Sequence, residues 1–179
     1  MVLRKNIKWI GLVILLAWPT FLSQIEGQLE CKPHKKVVKE INKIFGESLE
    51  VIPVFTSEDS ATYGDNFHTG DCLYRLSEQE EIRGYLLSTR AKGRFDYFDY
   101  SVIFSEDKTV LKVMVTVYRS DHGAGICQKN WLGQFEGYHG GVLELGKDID
   151  AVSGGTISST SMVNDIQRCH ILISSLDTE

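Results

Sequence analysis

The chain has 179 residues, of which 42% are hydrophobic and 24% charged, with a formal net charge of −5. That composition excludes wholesale disorder and suffices for one domain with its own core. Residues 1–23 carry Arg4, Lys5 and Lys8 and no acid, so the remainder holds 16 basic against 24 acidic residues, a net −8 that argues against a nucleic-acid partner.

Arg4, Lys5 and Lys8 precede an apolar run from Trp9 to Leu22, the pattern of an export signal with its positive end left inside. The run is short for a membrane span, and Pro19 stands near its end. Neither Phe21-Leu22-Ser23 nor Ile25-Glu26-Gly27 makes a good cleavage site. Two readings of residues 1–27 therefore stand, a cleaved signal peptide or a retained membrane anchor. Both place the body outside the cytoplasm, on the periplasmic or extracytoplasmic side. Cys31, Cys72, Cys127 and Cys169 lack the Cys-x-x-Cys spacing of zinc or redox sites. In an oxidising compartment they permit two disulfides with three possible connectivities, and buried free thiols are the alternative.

Further along, Pro33 to Phe45 reads as a helix with Gly46 just past its end. Val37, Val38, Ile41, Ile44 and Phe45 form its apolar stripe, and His34 reads as a solvated side chain among lysines. Leu49 to Phe55 is a short extended segment that Pro53 confines to a sheet edge. Residues 56–70 read as a loop. Cys72–Leu76, Ile82–Thr89, Phe95–Phe104 and Val110–Tyr118 then make a β-meander. In its last strand Val113, Val115 and Val117 share one face, and Met114, Thr116 and Tyr118 the other. Gly123-Ala124-Gly125 follows as a tight turn. Cys127–Phe135 reads as a short helix with Trp131, Leu132 and Phe135 one turn apart. His122 and His139 lack a third ligand for a metal. Val142–Leu145 is extended, and residues 158–174 form a helix with Ser158 or Ser159 as its N-cap and His170 on the apolar side. The fold class is α+β, a mostly antiparallel sheet with flanking helices in a single domain after the N-terminal segment.

The stretch that carries chemistry runs from Asp148 to Thr160, with two acids, adjacent glycines at 154 and 155, and five hydroxyl side chains. Glycines admit close approach, and a helix starting behind them aims unpaired N–H groups and a positive dipole end at its N-terminus, a geometry that suits phosphate. Ser153-Gly154 is not a nucleophile elbow, because Ala151 stands where the first glycine belongs. No phosphate-binding Gly-x-x-x-x-Gly-Lys-Ser/Thr loop occurs, and Gly123-Ala124-Gly125 lacks the third glycine of a dinucleotide fingerprint.

Asp150-x-x-Ser153-Gly154-x-Thr156 resembles the flavinylation motif of the FMN-binding domain family. That family includes the FMN-carrying subunits of sodium-translocating NADH:quinone reductases and Rnf-type electron-transport complexes. Four fixed positions recur by chance in a chain of this length on the order of a few times per thousand, from average residue usage. The Gly123-Ala124-Gly125 turn followed by Trp131, Phe135 and Gly137 is similar to the family's glycine turn and its tryptophan-to-phenylalanine segment. The resemblance thus covers about the last two-thirds of the chain. Two departures stand out: Ser120-Asp121-His122-Gly123 replaces the usual Glu-Thr-Pro-Gly, and Gly155 replaces the usual Ala.

The resemblance implies an FMN-binding domain over residues 71–179, preceded by a helix, strand and loop over 28–70. It implies FMN carried as a phosphoester on Thr156 after transfer from FAD by a flavin transferase. Asp150, Ser153, Gly154 and Gly155 would frame that site, with Gly123 and Gly125 in the neighbouring turn. The corresponding function is an exported electron carrier working with a membrane or periplasmic redox partner, more a relay than a stand-alone enzyme. A flavin-dependent small-molecule reductase and a secreted binding domain that has lost the cofactor are the alternatives.

Overall fold

The computed structural model describes residues 31–55, 66–68 and 70–177. The expectations for Arg4–Leu22 and most of the 56–70 loop lie outside those residues. Helix α1 spans Lys35–Phe45. His34 caps it: the side chain is exposed, as expected, and its Nδ1 accepts from Lys36 N at 3.2 Å. Gly46, at φ +98°, ends the helix and donates to Asn42 O.

Five strands follow, β1 (Glu50–Phe55), β2 (Cys72–Glu78), β3 (Glu81–Lys92), β4 (Tyr97–Ser105) and β5 (Val110–Val117). They lie in the order β1-β2-β3-β4-β5, every pair antiparallel. Pro53 sits on the edge strand, as a residue with no N–H to donate requires. The expected third strand starts later, at Tyr97. The exposed Phe95 belongs to the β3–β4 connection.

Strand alternation divides the apolar side chains between two faces. Tyr74, Leu76, Leu86 and Ile103 meet Val37 and Ile41 of α1 on one face. Leu87, Tyr100, Val102, Phe104 and Val113 meet the long C-terminal helix on the other. Tyr118 departs from the expected alternation: the strand has ended at Val117, and the ring turns onto the C-terminal-helix side. Cys31 and Cys72 form a disulfide that ties the start of α1 to β2, while Cys127 and Cys169 are free thiols. Closing a loop of 41 residues contributes about 4 kcal/mol on the chain-entropy account.

After β5 a 3-10 turn (Ala124–Cys127), the one-turn helix α2 (Lys129–Leu132) and a second 3-10 turn (Gly133–Phe135) bury Trp131, Leu132 and Phe135. Residues 142–145 form no strand; Leu145 makes a single bridge to Ile149. Helix α3 (Thr156–Ser174) buries Met162, Val163, Ile166, Cys169, Leu172 and Ile173. Each large aliphatic among them contributes roughly 1.5–3 kcal/mol. No helix among the described residues is long and apolar enough to cross a membrane.

Candidate functional site

The loop leading into α3 is anchored from both ends. Ile149 is buried, Trp131 Nε1 donates to Asp150 O at 2.7 Å, and Asp150 N donates to Gln134 Oε1 at 2.9 Å. At the other end Gly155 N donates to Val152 O at 3.0 Å, and Gly155 O accepts the first helical bond from Ser159 N at 2.8 Å. The loop therefore keeps its shape through main-chain bonds, and its polar side chains are left over.

The two glycine stretches marked in the sequence are brought together. A Cβ placed on Gly123 would come within 2.9 Å of Gly155 Cα and of the Tyr118 hydroxyl. One on Gly125 would come within 2.6 Å of Val152 Cγ1, and one on Gly155 within 2.9 Å of the same methyl. The space at these three glycines is taken by the protein itself, with Val152 set between the turn and the helix start. Gly123 also has φ +77°, a left-handed conformation that favours glycine. Gly154 differs: it has φ +70° and nothing within 4 Å of where a Cβ would stand.

Helix α3 begins at Thr156 with Gly155 as N-cap, not at the serines expected for that role. Both serines lie buried in the first turn. Ser159 Oγ bonds back to Gly155 O, and Ser158 Oγ lies 3.2 Å from the Tyr118 hydroxyl, which donates to His122 O. Because no side chain caps the helix, the N–H groups of Thr156, Ile157 and Ser158 have no acceptor among the described residues. Asp150, Ser153, Gly154 and Thr156 are all exposed. The side chains of Asp150, Ser153 and Thr156 make no hydrogen bond to another described residue. A hydroxyl on the first helical residue, beside three unpaired donors, is arranged for a phosphoryl group.

Sequence reasoning missed the surroundings. Phe95, 70% exposed at the β3–β4 tip, meets the His122 ring edge-on at a centroid distance of 5.9 Å, and the Arg94 guanidinium lies over the Phe95 ring, 5.2 Å from its centroid. The tip adjoins α3, since a Cβ at Gly93 would stand 3.5 Å from Ser158 Oγ. The alternation of aromatics from Phe95 to Phe104 put Phe95 inside the third strand, and the strand's later start at Tyr97 is what leaves it at the tip.

Sequence reasoning also missed what holds α3 in place. Arg168 Nε donates to Asp165 at 2.6 Å, and Nη1 donates to Asp71 at 2.7 Å and to Asn66 O at 2.6 Å. Nη2 reaches Thr89 Oγ1 at 3.1 Å. Thr89 in turn donates to Asp71, and Tyr100 to Asp165. Burial alone would depress the Arg168 pKa, but the neighbouring acids hold it above its ordinary value. Burial pushes the Tyr100 hydroxyl and the Cys169 thiol well up, so both stay neutral. The His122 ring meets Phe95, His139 bonds Gly137 O, and no group of three metal-ligating side chains occurs among the described residues.

No protein-family model matches the chain, and no match was found among curated proteins.

Proposed function

We propose that this protein is an exported flavoprotein that carries FMN on Thr156 and relays electrons to or from a membrane or periplasmic redox partner. The observation that carries the reading is the state of Thr156: an exposed, unbonded hydroxyl on the first residue of a long helix whose leading N–H groups are unpaired. The residues of the Asp150-x-x-Ser153-Gly154-x-Thr156 motif lie on one exposed loop, open to a modifying enzyme. The Cys31–Cys72 disulfide fits an oxidising compartment.

In the attachment step the Thr156 oxygen forms a bond to the FMN-side phosphorus of FAD. The pyrophosphate P–O bond breaks, AMP departs, and the hydroxyl proton passes to a base of the transferase or to water. Asp150 and Ser153 present the acceptor to that enzyme, and Gly154 leaves its approach clear. Afterwards the N–H groups of residues 156–158 hold the phosphoester's negative charge. Phe95 and His122 offer an exposed aromatic surface at the same end of α3 for a flat ring. Bound FMN supplies one- and two-electron chemistry, and the chain supplies placement.

Intact-mass spectrometry of protein co-expressed with a flavin transferase tests this. Wild type should gain an FMN-sized adduct and Thr156→Ala should not. An exposed first-turn substitution leaves the fold intact, so the comparison is clean. Wild type at its unmodified mass would overturn covalent attachment, and an adduct on Thr156→Ala would move it to another oxygen.

A further inference from the structure

We infer that the cleft between the end of β3 and the middle of α3 binds a small dianion, a phosphate or a dicarboxylate. The cleft is lined by His68, Arg90, Lys92, Ser161, Asn164 and Arg168. Arg90, Lys92, Ser161 and Asn164 each offer a hydrogen-bond donor, and Arg90 and Lys92 are cations, whereas the donors of Arg168 are taken by Asp165, Asp71, Asn66 and Thr89. Ser161, Asn164 and Arg168 share one face of α3 by their spacing of three, four and seven positions. Arg90 and Lys92 stand two apart on β3, about 7 Å along the strand, both exposed. Charges at that separation can engage one phosphate from two sides or the two carboxylates of a short diacid.

The charge balance is what singles the cleft out. In a body of net −8, most of the arginines and lysines near an acid are paired with it, as Arg119 is with Asp99 and Lys112 with Glu136. Arg90 and Lys92 have no ion-pair partner among the described residues. The cleft's one acid, Asp165, is already engaged by Arg168 and by Tyr100, with His68 Nδ1 3.9 Å away, and Asp71 behind it is fully enclosed and engaged by Arg168 and Thr89. Ser161 and Asn164 likewise have no side-chain partner among the described residues. The guanidinium of Arg90 is led across the 70–71 turn by Gly70, where a Cβ would come within 2.7 Å of its Nη2. Gly70 has φ +100°, so the position favours glycine on both counts.

This site is independent of the flavin reading, although Lys92 precedes Gly93, which faces the first turn of α3.

The test is calorimetric titration of the full chain, purified without flavin transferase, with inorganic phosphate and separately with succinate, each against sodium chloride at matched ionic strength. Saturable binding of at least one dianion is expected, and which of the two binds tighter identifies the class. Arg90→Ser/Lys92→Ser should weaken it at least tenfold, and Asn164→Asp, which puts a carboxylate on an exposed helical position, should abolish it. Lys35→Ser/Lys39→Ser, on the exposed side of α1, should bind as wild type does, and so should Thr156→Ala. Melting curves without ligand establish that each variant is folded. Heat no greater than with chloride, or equal binding by folded Arg90→Ser/Lys92→Ser or Asn164→Asp, would overturn the inference. Binding by Thr156→Ala leaves the two proposals separately decided.

Discussion

Gly155→Ala tests how the glycine pair is used, at the position where the motif it resembles carries alanine. The φ of Gly155 is −119°, which any residue adopts, so the cost comes from space and capping alone. An added methyl meets Val152 Cγ1 at 2.9 Å, Gly123 Cα at 3.1 Å and Val152 Cβ at 3.2 Å. Valine is stiff at χ1 and the Gly123 neighbour is backbone, so neither yields freely. Overpacking of this kind costs about 1–3 kcal/mol, and alanine is the poorer N-cap, so we expect a loss of about 2 kcal/mol. For a body of this size that lowers Tm by roughly 4–8 °C. Urea unfolding followed by circular dichroism measures it. Val152→Ala removes the Cγ1 contact and leaves the Gly123 contact, so Gly155→Ala should cost about 1 kcal/mol less in that background. A Gly155→Ala protein within about 0.5 kcal/mol of wild type, or strict additivity with Val152→Ala, would refute the packing role.

Arg168→Met should destabilise by about 3–5 kcal/mol, because it leaves Asp71 and Asp165 facing each other without their shared cation; an unfolding midpoint near wild type would show the network to be dispensable. His170 is depressed by burial, and also by His139 and Lys108, while the other groups against it, Tyr138 and Ser174, carry no charge at neutral pH. A base with a lowered folded pKa takes up protons more readily when unfolded. Its contribution is complete above the ordinary value of 6.5 and is lost as pH falls through the folded pKa. Stability measured by urea unfolding should decline below pH 6.5, and the decline should shrink in His170→Gln; identical pH profiles would assign the acid loss to other groups.

The first helix and the sheet were legible because their signals are local. Alternation in Val110–Val117, glycine after Phe45 and proline on an outer strand each state their consequence within a few residues. The start of α3 was misplaced for an equally local reason. Residue type favours Ser158 or Ser159 as a cap, but the turn from Val152 to Gly155 already presents Gly155 O to Ser159 N. Main-chain geometry won over side-chain preference there. The Arg168 network was out of reach altogether, since its acceptors on Asn66, Asp71 and Thr89 lie 102, 97 and 79 positions away. Only the Asp165–Arg168 pair, three apart on one helix, could have been suspected.

These two lessons meet at Thr156. Adjacent glycines first suggest backbone opened for a ligand, yet Gly123, Gly125 and Gly155 give their space to Val152 and to each other. What they provide is a tight seam that fixes where α3 begins, while the Arg168 network fixes the body of the same helix against β3 and β4. With both ends of the problem settled by packing, the direction of the first-turn N–H groups is set before any ligand arrives. A group attached to Thr156 would then swing about its own linkage and not about the loop, which is the condition under which Phe95 and His122 can act as a defined surface for it. Loosening the seam without touching Thr156, as Gly155→Ala does, should accordingly leave attachment possible while broadening the orientations the attached group samples.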